Sequence, residues 1–201
     1  MEPILERRGD AEVASSARFI VYNDWDLTGK AAPWVLPLSG NGKPSPVRQS
    51  PFNDLRARFS PDGRWLAYSS DESGRPEIYV RSFLERNTKW QISTGGATQP
   101  AWRRDGKEVF YLSSTREGYD YLIPEEQIAM MAVEVEAGST FKAGTPRPLF
   151  TTSLGGLPPS GLGNDYVAAG DGQRFLMKTP LESSKPSSIT VVLNWATKPT
   201  R

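Results

Sequence analysis

The decapeptide FSPDGRWLAY at Phe59–Tyr68 decides the fold of this 201-residue chain. Its skeleton, Asp-Gly followed by an apolar run, returns 43 residues later, from Asp62 to Asp105, in WRRDGKEVFY at Trp102–Tyr111. Two further copies are Tyr166–Met177 and Arg18–Tyr22, the second of which lacks the Asp-Gly pair. Repetition at this period indicates one structural unit per copy.

Each copy has the pattern of a β-hairpin. The glycine of an Asp-Gly pair tolerates the positive φ of a tight turn, and the aromatic and β-branched residues after it favour a strand. Aligned copies place Tyr22, Tyr68, Tyr111 and Met177 in one column and Ile20, Leu66, Val109 and Phe175 in another. Since both faces are apolar, these strands are predicted to lie between neighbouring sheets.

Further strands follow each hairpin. Third strands are predicted at Trp34–Leu38, Ile78–Phe83, Ile128–Val135 and Ile189–Trp195, and fourth strands at Lys89–Ser93, Arg147–Thr151 and, more weakly, Val47–Gln49. Four strands in about 43 residues is the period of a β-propeller blade. No segment shows a helical apolar stripe, and 18 Gly and 17 Pro interrupt the chain. The sequence therefore predicts an all-β propeller of about four antiparallel four-stranded blades, at residues 10–50, 51–95, 96–152 and 153–201.

The composition excludes several classes of function. Lys and Arg total 24 and Asp and Glu 23, a net charge of +1, so no large field attracts nucleic acid or acidic membranes. Without Cys or His there is no cysteine nucleophile, no Ser-His-Asp triad and no thiolate or imidazole metal ligand. No run approaches the roughly 20 apolar residues of a membrane helix. We expect no cofactor, no metal and no membrane insertion.

The repeats resemble the WD40-like propeller repeat of the TolB type, also called PD40. The resemblance rests on Phe59–Tyr68, on Lys89–Gly96, on Gln99–Gly106 and on the ending Ile189–Trp195. It is closest to the propellers at the C-terminal end of bacterial serine/threonine protein kinases. Such a resemblance implies a ring of six or seven blades, an extracytoplasmic (periplasmic) location and the binding of peptide segments of partner proteins at the mouth of the central channel.

Two arrangements of the ring remain open. In one, Pro3–Arg7 closes a small four-bladed ring by completing the last blade. In the other, which we favour, the chain is part of a larger ring whose open blades favour a homodimer. A kinase domain is expected only upstream, in a longer protein, because the chain has no His-Arg-Asp loop, Asp-Phe-Gly motif or Gly-rich strand opening.

Six residues are candidates for binding at the rim of the channel: Trp25, Asp26, Arg75, Gln99, Arg116 and Tyr119. Trp25 and Asp26 belong to the segment Asn23–Asp26, which is read either as a contact or cation site between two strands or as a solvated loop with Trp25 packed on its own blade. Arg75 and Gln99 occupy loops of adjacent blades that share one rim. Arg116 and Tyr119 join them if the insertion Thr115–Gln127 lies on the same side.

The sequence favours a module that binds and does not catalyse, at the sensing or scaffolding end of a bacterial signalling or envelope protein. The Asp-Gly aspartates Asp62, Asp105 and Asp171 are interpreted as turn caps and not as calcium ligands. The alternative is an enzyme-associated propeller, which gates a hydrolase or processes carbohydrate. That reading needs two rim carboxylates roughly 5–10 Å apart, from among Asp24, Asp26, Asp54, Asp71 and Glu72.

Overall fold

The computed structural model describes residues 11–13, 18–83, 88–114, 127–153, 164–179 and 190–193. Every regular element in these ranges is a β-strand. None of the described residues forms a helix that is long and apolar enough to cross a bilayer. The chain divides into two compact units, residues 1–100 and residues 101–201.

The strands follow one another in the order expected for repeated sheets. In the first unit they are β1 (Ala11–Val13), β2 (Phe19–Trp25), β3 (Ala31–Pro37), β4 (Ser45–Pro46), β5 (Asp54–Phe59), β6 (Trp65–Ser70), β7 (Glu77–Ser82) and β8 (Lys89–Gln91). The remaining strands are β9 (Ala97–Trp102), which begins in the first unit, β10 (Glu108–Ser114), β11 (Gln127–Ala137), β12 (Phe141–Ala143), β13 (Arg147–Ser153), β14 (Tyr166–Ala168), β15 (Arg174–Met177) and β16 (Thr190–Leu193).

The strands form four sheets by simple neighbour pairing. The first sheet has the order β1-β2-β3-β4 and the second β5-β6-β7-β8. The third has the order β12-β11-β10-β9, with β13 also paired to β11, and the described part of the fourth is β14-β15-β16. The recorded strand pairs are antiparallel. The predicted all-β architecture of antiparallel, four-stranded sheets is confirmed.

The Asp-Gly pairs are turn caps, as their sequence predicts. Asp62, Asp105 and Asp171 each accept a hydrogen bond at Oδ1 from the amide two residues later, with N···O distances of 3.1, 3.0 and 2.9 Å. The following glycines have φ of 73°, 73° and 70°, a backbone region in which a Cβ is disfavoured. The repeat therefore encodes the same hairpin turn in three sheets.

The core of the first unit lies between its first two sheets. Val21 and Val35 of the first sheet form one apolar cluster with Leu66, Tyr68 and Tyr79 of the second. All six residues of β6 and all six of β7 are buried, so both faces of the two central strands of the second sheet are covered, as predicted. Burial of this kind, at roughly 25 cal/mol per Å² of apolar surface, is the main favourable contribution to folding.

In the second unit, aromatic side chains join the third and fourth sheets. The rings of Phe110 and Phe175 meet edge to face with centroids 5.1 Å apart. Tyr166 and Met177 belong to the same buried cluster. A Cβ on Gly172 would lie 2.9 Å from atoms of Phe110 and Arg103, so the turn of the fourth sheet packs closely on the third.

The fourth sheet leaves one apolar cross-strand pair in solvent. Val167 and Leu176 are paired across β14 and β15, and they are 60% and 48% exposed. Counted from the Asp-Gly pair, Leu176 occupies the repeat position of Ala67 and Phe110, which are both 0% exposed. At this repeat position the fourth sheet therefore exposes its apolar side chain, whereas the second and third sheets bury theirs.

Some local predictions are wrong in detail. The fourth strand of the first sheet is Ser45–Pro46, not Val47–Gln49, because the chain turns there and brings Arg48 onto Asp54. Asn23–Trp25 belong to strand β2 and not to the loop. The rings of Trp65 and Trp90 meet edge to face within the second sheet, with centroids 5.6 Å apart. The predicted closing strand at residues 3–7 and Trp195 lie outside the described residues.

Candidate functional site

The turn between β2 and β3 carries two of the predicted contact residues. Asp26 caps this turn, because its Oδ1 accepts hydrogen bonds from Thr28 N at 2.8 Å, from Thr28 Oγ1 at 2.7 Å and from Lys30 N at 3.0 Å. The hydrogen bond from the Thr28 hydroxyl is the main cause that lowers the pKa of Asp26. Leu27, at the tip, is fully exposed, and Trp25 is half-buried. The Asp26 carboxylate thus serves the turn itself.

The turn between β6 and β7 presents Arg75. Its Nε donates to Glu77 Oε1 at 3.1 Å, and the side chain is 45% exposed. The two terminal NH₂ groups make no hydrogen bond with any described residue. Arg75 therefore offers two NH₂ groups, each with two N–H donors, to solvent, while the buried carboxylate of Glu77 fixes its position.

Glu77 connects this turn to the loop that enters β9. Its Oε1 accepts a hydrogen bond from Gly96 N at 2.8 Å, and its Oε2 accepts one from the Ser93 hydroxyl. The amide of Ala97 also donates to Pro76 O at 2.8 Å. The two loops that were predicted to share one rim are thus in contact within the first unit.

The turns of the first and second sheets are joined by the segment between β4 and β5. Lys30 Nζ donates to Pro51 O at 2.6 Å, and Ala31 N donates to Asn53 Oδ1 at 3.3 Å. Asn53 in turn donates its backbone amide and its side-chain Nδ2 to the Asp71 carboxylate, at 2.9 and 2.7 Å. We call residues 25–30, 51–53, 71–77 and 95–97 the loop edge.

Gln99 differs from the other candidates because its side chain is only 3% exposed. Its φ is 57°, a left-handed value that is uncommon for a residue other than glycine. Arg56, 43 residues earlier, has the same φ of 57° and is also buried. The register between β5 and β6 shifts at this point, so the left-handed residue marks a β-bulge on the first strand. Arg56 was not among the predicted site residues, although it lies one repeat period of 43 residues before Gln99.

The remaining two candidates, Arg116 and Tyr119, lie outside the described residues. Among the described residues, no group of three or more His, Cys, Asp or Glu side chains is arranged to hold a metal ion.

A charged cluster near the loop edge was not anticipated. Arg48 donates to the fully buried Asp54 through Nε at 2.5 Å and Nη2 at 3.0 Å, and Nη2 also reaches Ser50 Oγ at 2.7 Å and Glu72 Oε2 at 3.2 Å. Lys89 also forms an ion pair with Glu72. A signal for this cluster was present only as isolated charges, since Arg48 lies in the connection between β4 and β5, Asp54 in β5 and Glu72 in the turn after β6.

The buried side chain of Tyr68 lies next to Arg48 of this cluster. The Arg48 guanidinium carbon is 5.5 Å from the centroid of the Tyr68 ring, a cation–π distance. The Tyr68 hydroxyl is buried and finds no hydrogen-bond partner in the described part of the chain. Burial raises the pKa of this hydroxyl well above its ordinary value of 10.0, against the opposing effect of the Arg48 charge.

Neither protein-family profiles nor characterised sequences give a match to this chain. Solved structures do. TolB from Acinetobacter baumannii aligns with a TM-score of 0.62 at 19% identity, over 92% of this chain and 40% of that chain. A putative TolB from Agrobacterium tumefaciens aligns with a TM-score of 0.61 at 14% identity, over 72% of this chain and 50% of that one.

The fold is that of a TolB-like β-propeller. Another structure with this type of sheet repeat is the oligogalacturonate lyase from Vibrio parahaemolyticus, with a TM-score of 0.54 at 14% identity, over 87% of this chain and 47% of that chain. The present propeller thus spans 40–50% of the length of the two TolB structures. Identities this low establish the fold of the propeller and leave its activity and partners to be argued from its own residues.

Proposed function

We propose that this propeller is a non-catalytic module that binds a protein or peptide segment at the loop edge of its first unit. The proposal rests on the position of Arg75, whose two terminal NH₂ groups face solvent while its Nε donates a hydrogen bond to Glu77. Arginine, tryptophan and tyrosine are the side chains that most often dominate the energy of a protein interface. Arg75 thus has the chemistry of an interface anchor.

The loop edge supports the proposal because it is rigidly held. Asn53, Asp71 and Glu77 fasten adjacent turns to one another by hydrogen bonds of 2.7–3.1 Å. A surface that is already ordered loses little conformational entropy on binding, so more of the contact energy appears as affinity. The exposed Leu27, at the tip of the turn between β2 and β3, adds an apolar side chain to the loop edge.

Selection of random peptides displayed on phage, with the complete 201-residue chain as target, tests this proposal. Enriched peptides should bind the wild-type chain and lose at least tenfold in affinity on Arg75→Ala, and several-fold on Leu27→Ser. Arg174→Ala, on an exposed arginine of the second unit, is the matched control and should stay within twofold. Peptides that bind both arginine variants equally would place the binding surface elsewhere.

The enzyme-associated alternative finds less support in the carboxylates. Asp54 and Glu72 are both ion-paired to Arg48, Asp71 is bonded to Asn53, and Asp26 caps its own turn. A glycosidase needs one carboxyl group that is free to donate a proton and another that is free to act as base or nucleophile. Release of reducing sugar from a panel of oligosaccharides, abolished by an Asp71→Asn change, would favour the alternative over the binding module.

We also propose that the module serves as the sensing or scaffolding end of a longer bacterial signalling or envelope protein outside the cytoplasm. The resemblance of the repeats to kinase-associated propellers supports this role. Fractionation of cells that produce the protein should then recover it in the periplasmic or envelope fraction, attached to a larger polypeptide. Recovery of a free 22.2 kDa chain in the cytoplasmic fraction would contradict this role.

We also propose that the chain forms a homodimer through an open blade. Val167 and Leu176 support it, because the repeat equivalents of Leu176 are covered by neighbouring structure whereas this pair is exposed. Sedimentation velocity should show a dimer at micromolar concentration that dissociates on Leu176→Lys. A monomeric wild-type chain over that range would contradict the dimer and leave peptide binding at the loop edge unaffected.

A further inference from the structure

A second candidate site lies in the first unit, between the end of the first sheet and the second sheet. A cavity of about 570 Å³ is lined by Ser45, Pro46, Val47, Arg48, Gln49 and Arg81. Ligand sites for small molecules usually fall between about 300 and 1,000 Å³ and combine an apolar lining with a few polar groups. The size of this cavity falls in that range, and its lining combines the apolar Pro46 and Val47 with four polar or charged residues.

The polar groups of the cavity are mainly donors. Arg48 is held by Asp54, Ser50 and Glu72 through Nε and Nη2, whereas its Nη1 makes no hydrogen bond with any described residue. Arg81 lies on β7 and is only 5% exposed, although it lines the cavity. Two guanidinium groups, one of them buried and the other fixed by a carboxylate, therefore border the same space.

The charges around the cavity select the charge of its ligand. Arg48, Arg81 and Lys89 are positive, and Lys89 is the cross-strand partner of Arg81. Asp54 and Glu72 are negative and pair with Arg48 and Lys89. The residues that line the cavity include two positive side chains, Arg48 and Arg81, and no acidic one, so the cavity favours an anionic ligand. A carboxylate suits this pair of guanidinium groups, because each of its two oxygens can accept a charge-assisted hydrogen bond from one of them.

We propose that this cavity binds a carboxylate, with its oxygens on the guanidinium groups of Arg48 and Arg81 and its apolar part against Pro46 and Val47. The proposal goes beyond peptide binding at the loop edge and does not depend on it. The carboxylate comes either from a free organic acid or from the C-terminus of a polypeptide, and the two sources share the same chemistry at the arginines.

Titration calorimetry in a carboxylate-free, low-chloride buffer tests the site with matched probes. Sodium benzoate and neutral benzamide have nearly the same shape, so only the charge differs. A short apolar peptide with a free C-terminus and its C-terminal amide form the second pair. We expect each acid to bind at least tenfold more tightly than its amide. Whichever of the two acids has the higher affinity identifies the source of the carboxylate, a free organic acid or a polypeptide C-terminus.

Gln49→Glu is the decisive variant. Gln49 is exposed at the cavity wall, so the change preserves the fold while it adds an internal carboxylate that competes for the arginines. Benzoate affinity should fall at least tenfold, whereas Gln173→Glu, the same charge change on a turn of the fourth sheet, should leave it within twofold. Matching circular dichroism spectra and unfolding midpoints verify that each variant is folded. Equal binding of benzoate and benzamide, or an unchanged affinity in Gln49→Glu, would overturn the proposal.

Discussion

The backbone amide of Gly96 donates a hydrogen bond to the buried carboxylate of Glu77, with an N···Oε1 distance of 2.8 Å. The same carboxylate receives Arg75 Nε and the Ser93 hydroxyl, and Ser93 Oγ in turn accepts from Ile78 N at 2.7 Å. One acidic side chain therefore fixes the turn after β6, the end of β8 and the start of β9.

Glu77→Gln should lower the free energy of unfolding by about 1.5–3 kcal/mol, because hydrogen bonds to a charged group are lost in a buried place. Urea unfolding monitored by tryptophan fluorescence measures the change. Glu136→Gln is the control, since Glu136 and its partner Lys142 are both largely exposed, and its effect should stay within about 0.5 kcal/mol. Equal effects of the two substitutions would show that the Glu77 network contributes little.

Gly172→Ala should destabilise the chain more than Gly29→Ala does. Both glycines have left-handed φ, of 70° and 82°, which costs an alanine about 1–2 kcal/mol. Only at Gly172 does the added Cβ come within 2.9 Å of Phe110 and Arg103, which adds about 1–3 kcal/mol of overpacking. Thermal unfolding of the two variants compares these costs, and similar midpoints would contradict the close packing of the fourth sheet on the third.

At position 99, glycine should be better tolerated than alanine. Both substitutions remove the glutamine side chain, so their difference isolates the left-handed backbone, and we expect Gln99→Gly to be more stable than Gln99→Ala by about 1 kcal/mol. The same two substitutions at Gln49, which lacks a positive φ, should rank in the opposite order. If alanine is also the better residue at position 99, the strand adopts an ordinary β conformation there.

Tyr68→Phe should leave the stability at pH 7 unchanged or slightly higher, because the buried hydroxyl has no hydrogen-bond partner among the described residues. Burial raises the pKa of this hydroxyl, so the unfolded chain ionises at lower pH than the folded one. Wild-type stability should therefore fall as the pH rises above about 10, and Tyr68→Phe should remove that part of the loss. Tyr79→Phe is the contrast: Tyr79 bonds Gln91 at 3.3 Å, so its loss should cost about 1 kcal/mol at pH 7.

Asp105→Asn should reduce the loss of folding stability that occurs as the pH becomes acidic. The hydrogen bond from Arg103 is the main cause that lowers the pKa of Asp105 below its ordinary 3.8. A carboxyl group with a lowered pKa stabilises the fold above pH 4, and this contribution disappears as the pH falls through the pKa of the folded state. Urea unfolding between pH 2.5 and 6 measures this dependence, and parallel curves for wild type and Asp105→Asn would contradict it.

The fold followed from the sequence because its cause is local and repeated. An Asp-Gly pair with an apolar run on each side needs no distant information to form a hairpin, so Phe59–Tyr68 and Trp102–Tyr111 predicted their sheets directly. The division into blades at residues 10–50, 51–95, 96–152 and 153–201 remains a prediction.

The site followed less well because its geometry depends on contacts between sheets. Arg75 is exposed in the structure, but nothing in the sequence distinguishes it from Arg56, which is buried. The cluster of Arg48, Asp54 and Glu72 spans two connections and β5, so no linear pattern could reveal it. Asp26 caps its own turn, and a capping aspartate and a binding aspartate look alike in sequence.

The left-handed backbone at Arg56 and Gln99 offers an opportunity for engineering. The two positions adopt the same conformation although one holds an arginine and the other a glutamine, so the shape of the strand there does not depend on a particular side chain. A library randomised at both codons would sample new chemistry on an unchanged scaffold, with glycine as its internal standard for backbone cost.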